Sequence, residues 1–158
     1  MGRQAPATVS RPRFDLRQAV SRAGEPVFVD TGAWVALALT QDPLHGSAME
    51  VWENLSRQGT RLFTSVPVVL ETFTFLDRNT ERRVALSWKD SLSTVTRLKV
   101  LDIRVTDLPG AWSYFERKDL HKLSAVDATS FVLMTSARIR YAFTFDHHFV
   151  TAGFRLAG

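Results

Sequence analysis

The chain contains no cysteine, which removes disulfide frameworks, thiolate metal sites and Cys nucleophiles, and leaves oxygen or histidine as the only means of holding a metal. Long apolar runs are missing too. The most apolar stretch, Trp34 to Leu39, is far too short to span a bilayer, and no basic start, apolar run and small-residue cleavage site forms a signal peptide. A cytoplasmic chain without a membrane partner is expected. Neither a Walker loop, a GxGxxG turn nor a GxSxG elbow occurs, so P-loop hydrolysis, dinucleotide binding and the usual serine hydrolase arrangement lack support. What is present is ordinary for a globule: 158 residues, 45% hydrophobic and 23% charged, enough for a single domain with a real core.

Charge is unevenly spread. Lys and Arg number 20 against 16 Asp and Glu, a net +4. Arg3, Arg11, Arg13, Arg17 and Arg22 face only Asp15 and Glu25 in the first 26 residues, so most of the excess sits there. Residues 1–25 lack any sustained apolar period and read as a basic flexible extension, with 26–158 as the folded domain.

From Pro26 onward short apolar strands alternate with helical patterns. Val27–Val29, Leu62–Phe63, Val100–Ile103 and Tyr141–Phe145 read as strands, and a piece around Phe154–Leu156 as a possible edge. Between them fall helices expected at 33–39, from Asp42 to Gly59, from Ser65 through Leu76, at 80–97, at 108–117 and at 125–137. That alternation implies an α/β sandwich, a mostly parallel sheet covered on both faces.

Four carboxylates occupy places that invite explanation. Asp30 and Asp146 each follow an apolar strand, where ligands bind in an open parallel sheet, although Asp is also a favoured helix N-cap. Asp127 stands three residues after Ser124, which is equally a capping-box pattern. Glu71 lies among Val69, Leu70 and Phe73, so it is expected to be partly buried and to need a cation or hydrogen-bond donors. Brought together, four such acids would repel one another unless a divalent ion intervened. An oxygen-only cluster favours Mg²⁺ or Mn²⁺. Such a site suits phosphodiester hydrolysis.

The segments VDTGAW, LETFTFL, LSAVDATSFVLM and AFTFDHHF resemble, in order and spacing, the four acidic motifs of PIN-domain ribonucleases, especially VapC-type toxins of toxin-antitoxin pairs. The resemblance runs from Val27 to Phe154. It implies a PIN-like three-layer sandwich and a Mg²⁺- or Mn²⁺-dependent endoribonuclease, with Asp30, Glu71, Asp127 and Asp146 as catalytic, metal-binding acids and Thr144 supporting them. It further implies an RNA substrate, a cognate antitoxin and a homodimer. Many relatives carry Ser where this chain has Gly32, so one hydroxyl near the acids is missing. The stretch ERKDLHKLS is longer than usual and leaves Asp119 and His121 without a role.

Two other readings compete. A non-catalytic RNA-binding or antitoxin-binding module could keep the same fold without cleaving. Asp30-Thr31-Gly32-Ala33 also matches the signature of retroviral-type aspartic proteases, but those enzymes are all-β dimers and this chain continues into helices. His147 and His148 adjoin Asp146, and a metal role there is the minor alternative to one solvated and one helix-start ring. Trp34, Trp52, Trp88 and Trp112 fit apolar helix stripes better than RNA-stacking positions.

Overall fold

A computed structural model describes residues 24–158; the extension expected at 1–25 lies almost wholly outside them. Five strands, β1 (Val27–Val29), β2 (Leu62–Ser65), β3 (Leu98–Leu101), β4 (Tyr141–Phe143) and β5 (Arg155–Leu156), pair in the order β3-β2-β1-β4-β5, every pair parallel. Seven α-helices are described: α1 (Thr31–Ala38), α2 (His45–Arg57), α3 (Val66–Asn79), α4 (Arg82–Leu92), α5 (Leu108–Tyr114), α6 (Ala125–Ser136) and α7 (His148–Thr151). The chain starts at the central strand, steps outward through β2 to β3, then crosses back and steps the other way through β4 to β5. Because parallel crossovers are right-handed, reversing the direction of travel puts the later helices on the opposite face. The result is the three-layer sandwich the alternation implies.

Strands β1 and β4 consist entirely of buried residues, as expected for a parallel sheet covered on both sides. Phe28, Phe131, Phe143 and Phe149 are fully or almost fully buried, and the Phe131 ring meets Phe149 edge-on at a centroid separation of 4.9 Å. On the other side Trp34 lies 5.7 Å from Trp52 and 6.1 Å from Trp88, so three of the four tryptophans pack together. Trp112 is 53% exposed instead. Helix α5 approaches α6 at Gly110, where a Cβ would come within 3.2 Å of Val132 Cγ2. Gly59, at φ +64°, takes up the left-handed conformation after α2 that other residues resist.

Several boundaries differ from the sequence expectation. The helix expected at 80–97 ends at Leu92. Ser91, Ser93 and Thr94 turn their hydroxyls onto the carbonyls of Trp88, Asp90 and Ser91, the local competition by which such residues end helices. The second helix begins at His45 instead of Asp42, whose carboxylate accepts the Leu44 amide at 2.8 Å and forms the preceding turn. Strand β4 stops at Phe143, two residues early, because the Thr144 hydroxyl takes the Asp146 amide at 3.0 Å. Among the described residues no helix is long and apolar enough to cross a membrane.

Candidate active site

The sheet order reverses between β1 and β4, and the crevice beyond the carboxyl ends of those strands is the place where α/β sheets bind ligands. Asp30 leaves β1 there, its amide bonded to the Phe143 carbonyl at 3.0 Å across the junction. Helix α1 begins at the next residue without an intervening loop. The floor beneath is pinned by a buried relay in which Trp34 Nε1 donates to Thr64 Oγ1 at 3.2 Å and Thr64 Oγ1 donates to the Val29 carbonyl at 2.9 Å. The relay ties α1, through β2, to the strand that carries Asp30.

Asp30 sits at the N-cap position of α1 but makes no side-chain capping bond. Oδ2 accepts the Thr144 hydroxyl at 3.0 Å. Oδ1 is buried without a hydrogen-bond partner, a costly state for a carboxylate. Burial pushes the Asp30 pKa up from 3.8 to about 7, with the Asp127 and Glu71 charges adding to it and the Thr31 amide and Thr144 hydroxyl opposing.

The other acids arrive from three elements. Asp127 lies in the first turn of α6 and forms the reciprocal cap with Ser124: its amide donates to Ser124 Oγ at 3.0 Å, and the Ser124 amide donates to Asp127 Oδ2 at 3.3 Å. Burial raises its pKa, the Ser124 bonds oppose, and Asp146 and Glu71 raise it further. Glu71, on α3, is half-buried and accepts the Thr31 hydroxyl at 2.6 Å. Asp146 accepts the His148 amide at 2.9 Å on Oδ1 while its own amide donates to Thr144 Oγ1. Thr144 thus holds two acids at once, donating to Asp30 and accepting from the Asp146 amide. Asp127 feels Asp30, Glu71 and Asp146 electrostatically, so it lies within charge range of the other three carboxylates.

Residues 119 and 121 now have places. Asp119 is clamped by Arg117 through bonds of 3.0 and 2.7 Å. His121 contributes its carbonyl, which lies 2.7 Å from His148 Nε2. His148 is buried, and its Nδ1 lies 2.9 Å from Asp146 Oδ1. Burial works against a charged ring, but the Asp146 carboxylate, the His121 carbonyl and the Asp127 charge outweigh it and raise the His148 pKa. Sequence reasoning does not name Thr31 as a site residue and weighs His148 only as the minor alternative of a metal ligand. A Thr directly after the first acid is the available signal for one; the Asp-x-His spacing is the signal for the other. At Gly32 a Cβ would meet nothing closer than Asp30 Oδ2, at 4.0 Å, so the missing hydroxyl leaves open space and not a filled one.

An ion could be held here by chemistry already present. All four acids supply hard oxygen ligands, the mutual repulsion calls for positive charge, and Asp30 Oδ1 is an unpartnered acceptor. The donor set fits a divalent metal.

Comparison with known proteins agrees with this fold. The family pattern described as PIN domain matches residues 27–155. The chain is 36% identical over 129 residues to the 23S rRNA-specific endonuclease VapC20 of Mycobacterium tuberculosis, covering 81% of this chain and 95% of that protein. The crystal structure of VapC20, described as a sarcin-ricin loop cleaving toxin, superposes with a TM-score of 0.72 at 34% identity, over 81% of this chain and 95% of that one. VapBC2 from Rickettsia felis, bound to a promoter DNA fragment, gives 0.63 at 15% identity, covering 82% and 96% of the two chains. At that identity the likeness concerns the fold alone.

Proposed function

The chain belongs to the PIN-domain family and is an endoribonuclease of the VapC toxin type, and from that premise we propose that it cuts ribosomal RNA with a Mg²⁺ or Mn²⁺ ion held by Asp30, Glu71, Asp127 and Asp146. The observation that supports the metal assignment is the buried Asp30 oxygen with no partner, within range of the Asp127 and Glu71 charges. When bound, a divalent cation neutralises the repelling acids, acidifies a water and draws charge from the scissile phosphodiester.

The protein's own part is positioning. Thr144 holds Asp30 Oδ2 and the Asp146 backbone in register, so the acids from β1 and from the turn after β4 move as one. The Ser124 cap fixes Asp127, and the Thr31 hydroxyl orients Glu71 from α1. Each acid is therefore locked by a neighbour before any ligand arrives, the preorganisation that charge stabilisation in a transition state requires. Hydrolysis in this setting leaves 5′-phosphate and 3′-hydroxyl ends.

VapC20 acts on 23S rRNA, and 36% identity across the whole domain supports the same target class here. A cognate antitoxin is the natural protein partner. A groove of about 780 Å³ between α1, α2 and α4, lined by Trp34, Trp52, Val84 and Trp88, offers an apolar seat for a partner helix. A homodimer and cytoplasmic action complete the proposal.

The deciding experiment incubates full-length protein with purified ribosomes or 23S rRNA, with Mn²⁺ or with EDTA, and maps ends by primer extension. A discrete cut that needs the ion and disappears in Asp127→Asn is expected. Binding of RNA without cleavage under every condition would favour the non-catalytic module.

A further inference from the structure

Beside the oxygen cluster lies a set of donors of different chemistry. Asp146, His147 and His148 each offer one ligand atom, and the three atoms lie within 4.8 Å of one another. The His147 and His148 rings face each other with centroids 4.3 Å apart. His147 Nδ1 is 3.6 Å from Asp146 Oδ1, and His148 Nδ1 is 2.9 Å from the same oxygen. Two donors bound tetrahedrally to zinc at about 2.0–2.1 Å stand roughly 3.3 Å apart, so the observed separations bracket that value.

The way His148 is held gives that proximity a direction. A carbonyl can only accept, so the 2.7 Å contact to the His121 oxygen requires the proton on Nε2. Nδ1 is buried and turned onto the Asp146 oxygen at 2.9 Å, a position in which a cation can replace the proton that the two groups otherwise share. A metal-ligating histidine is normally held in this way, its second nitrogen donating to a backbone carbonyl while the first keeps its lone pair for the ion. The exposed His147, 78% accessible at its side chain, can swing to close the third position.

We propose that Asp146, His147 and His148 form a second metal site, of mixed nitrogen and oxygen ligands, which takes Zn²⁺ or a similar borderline ion and shares Asp146 with the carboxylate cluster it borders. Imidazole favours zinc, cobalt and nickel over magnesium, so the two sites sort ions by ligand type. Three protein ligands leave a coordination position open towards solvent. This inference stands on ligand geometry and does not require the chain to be a nuclease.

The test is calorimetric titration of metal-free, full-length protein with Zn²⁺ at pH 8 in excess Mg²⁺, which competes for carboxylate oxygens, Asp146 included, but not for the imidazoles. One Zn²⁺ per chain is expected to bind, and ring ¹⁵N resonances of His147 and His148 should shift at Nδ1 while His45, engaged with the Ala36 carbonyl, does not move. His147→Gln changes an exposed side chain and should leave the fold intact. It is expected to weaken Zn²⁺ at least by the roughly 10–100-fold that even an outer partner of a metal ligand contributes. Zinc binding unaffected by His147→Gln, zinc displaced in equal amounts by Mg²⁺, or no zinc binding because a shared proton already satisfies His148 and Asp146 would each overturn the proposal. None of these outcomes bears on whether RNA is cut.

Discussion

Replacing Asp30 by Asn should make the metal-free protein more stable at neutral pH, although it removes a buried group at the head of a helix. The Asp30 pKa lies near 7 in the fold against 3.8 ordinarily. The folded state therefore holds that proton more tightly than the unfolded chain, and the stability it confers is full below 3.8 and is lost as pH rises to about 7. That span corresponds to about 4 kcal/mol at most by the linkage relation. Asn keeps an oxygen for the Thr144 hydroxyl but puts an amide where Oδ1 has no partner, which costs about 1–3 kcal/mol. The net expectation at pH 8 is a gain of roughly 1–3 kcal/mol, or about 3–9 °C in Tm for a domain of this size.

Scanning calorimetry at pH 5 and pH 8 in EDTA reads this directly. Asp77, Asp107 and Asp119 have lowered pKa values through their arginine partners and, at Asp107, first the Arg104 amide. Their contribution is lost only as pH falls below the ordinary carboxylate range, so they do not affect this window. Wild type should lose stability from pH 5 to pH 8, and Asp30→Asn should lose less, the remainder arising at Asp127 and at His148, whose raised pKa likewise gives stability at low pH that is lost as pH rises. Mn²⁺ at one hundred times its dissociation constant should restore about 2.7 kcal/mol to wild type. A wild-type midpoint as high at pH 8 as at pH 5, or a variant that melts lower than wild type at pH 8, would refute the account of a strained, cation-seeking cluster.

Cleavage should fall at least about 100-fold in Asp127→Asn and in Glu71→Gln, measured by primer extension on 23S rRNA, a loss on the scale of removing a group that stabilises developing charge. Gly32→Ser adds a hydroxyl in open space near Asp30 Oδ2; it should raise stability by about 0.3–0.5 kcal/mol through helix propensity and tighten Mn²⁺ binding in titration calorimetry. Deleting residues 1–23 should flatten the salt dependence of RNA affinity while leaving cleavage in place. The slope of log K against log salt should change by about 0.7 for each single-strand phosphate that the shortened chain no longer neutralises. An unchanged slope would exclude the five arginines as RNA ligands.

The order of elements is legible in the sequence because buried parallel strands read as short apolar runs, and VFV and YAF are such runs. Their limits are less so. Thr144 sits where an extended strand would continue, yet its hydroxyl is committed to Asp30 and to the Asp146 amide, a bond that local pattern cannot reveal. Helix α4 is shorter than its pattern because Ser91, Ser93 and Thr94 fit a helical period while their hydroxyls take carbonyls of the last turn. Four acids are legible from spacing and resemblance. Thr31 and His148, which orient two of them, are not, since what marks each is a partner 40 residues or 27 residues away along the chain.

Capping and metal binding, posed by the sequence as rival explanations, prove to be related differently at each acid. Asp30 holds the N-cap position without capping, and its burial with a free oxygen makes a structural role alone expensive. Asp127 caps α6 through a reciprocal pair of bonds and still shares the field of three other carboxylates. Asp146 does something similar, accepting the first amide of α7 on the oxygen that also faces His148. A helix start is a good place for such an acid on two grounds: the amides that it caps fix its direction, and the positive end of the helix dipole lowers the cost of its charge. The fold can therefore assemble four like charges with tolerable strain because two of them lean on helix starts. Asp30, which gains least from that device, is the residue whose pKa is driven to about 7 by burial and whose substitution should be felt most when the ion is withheld.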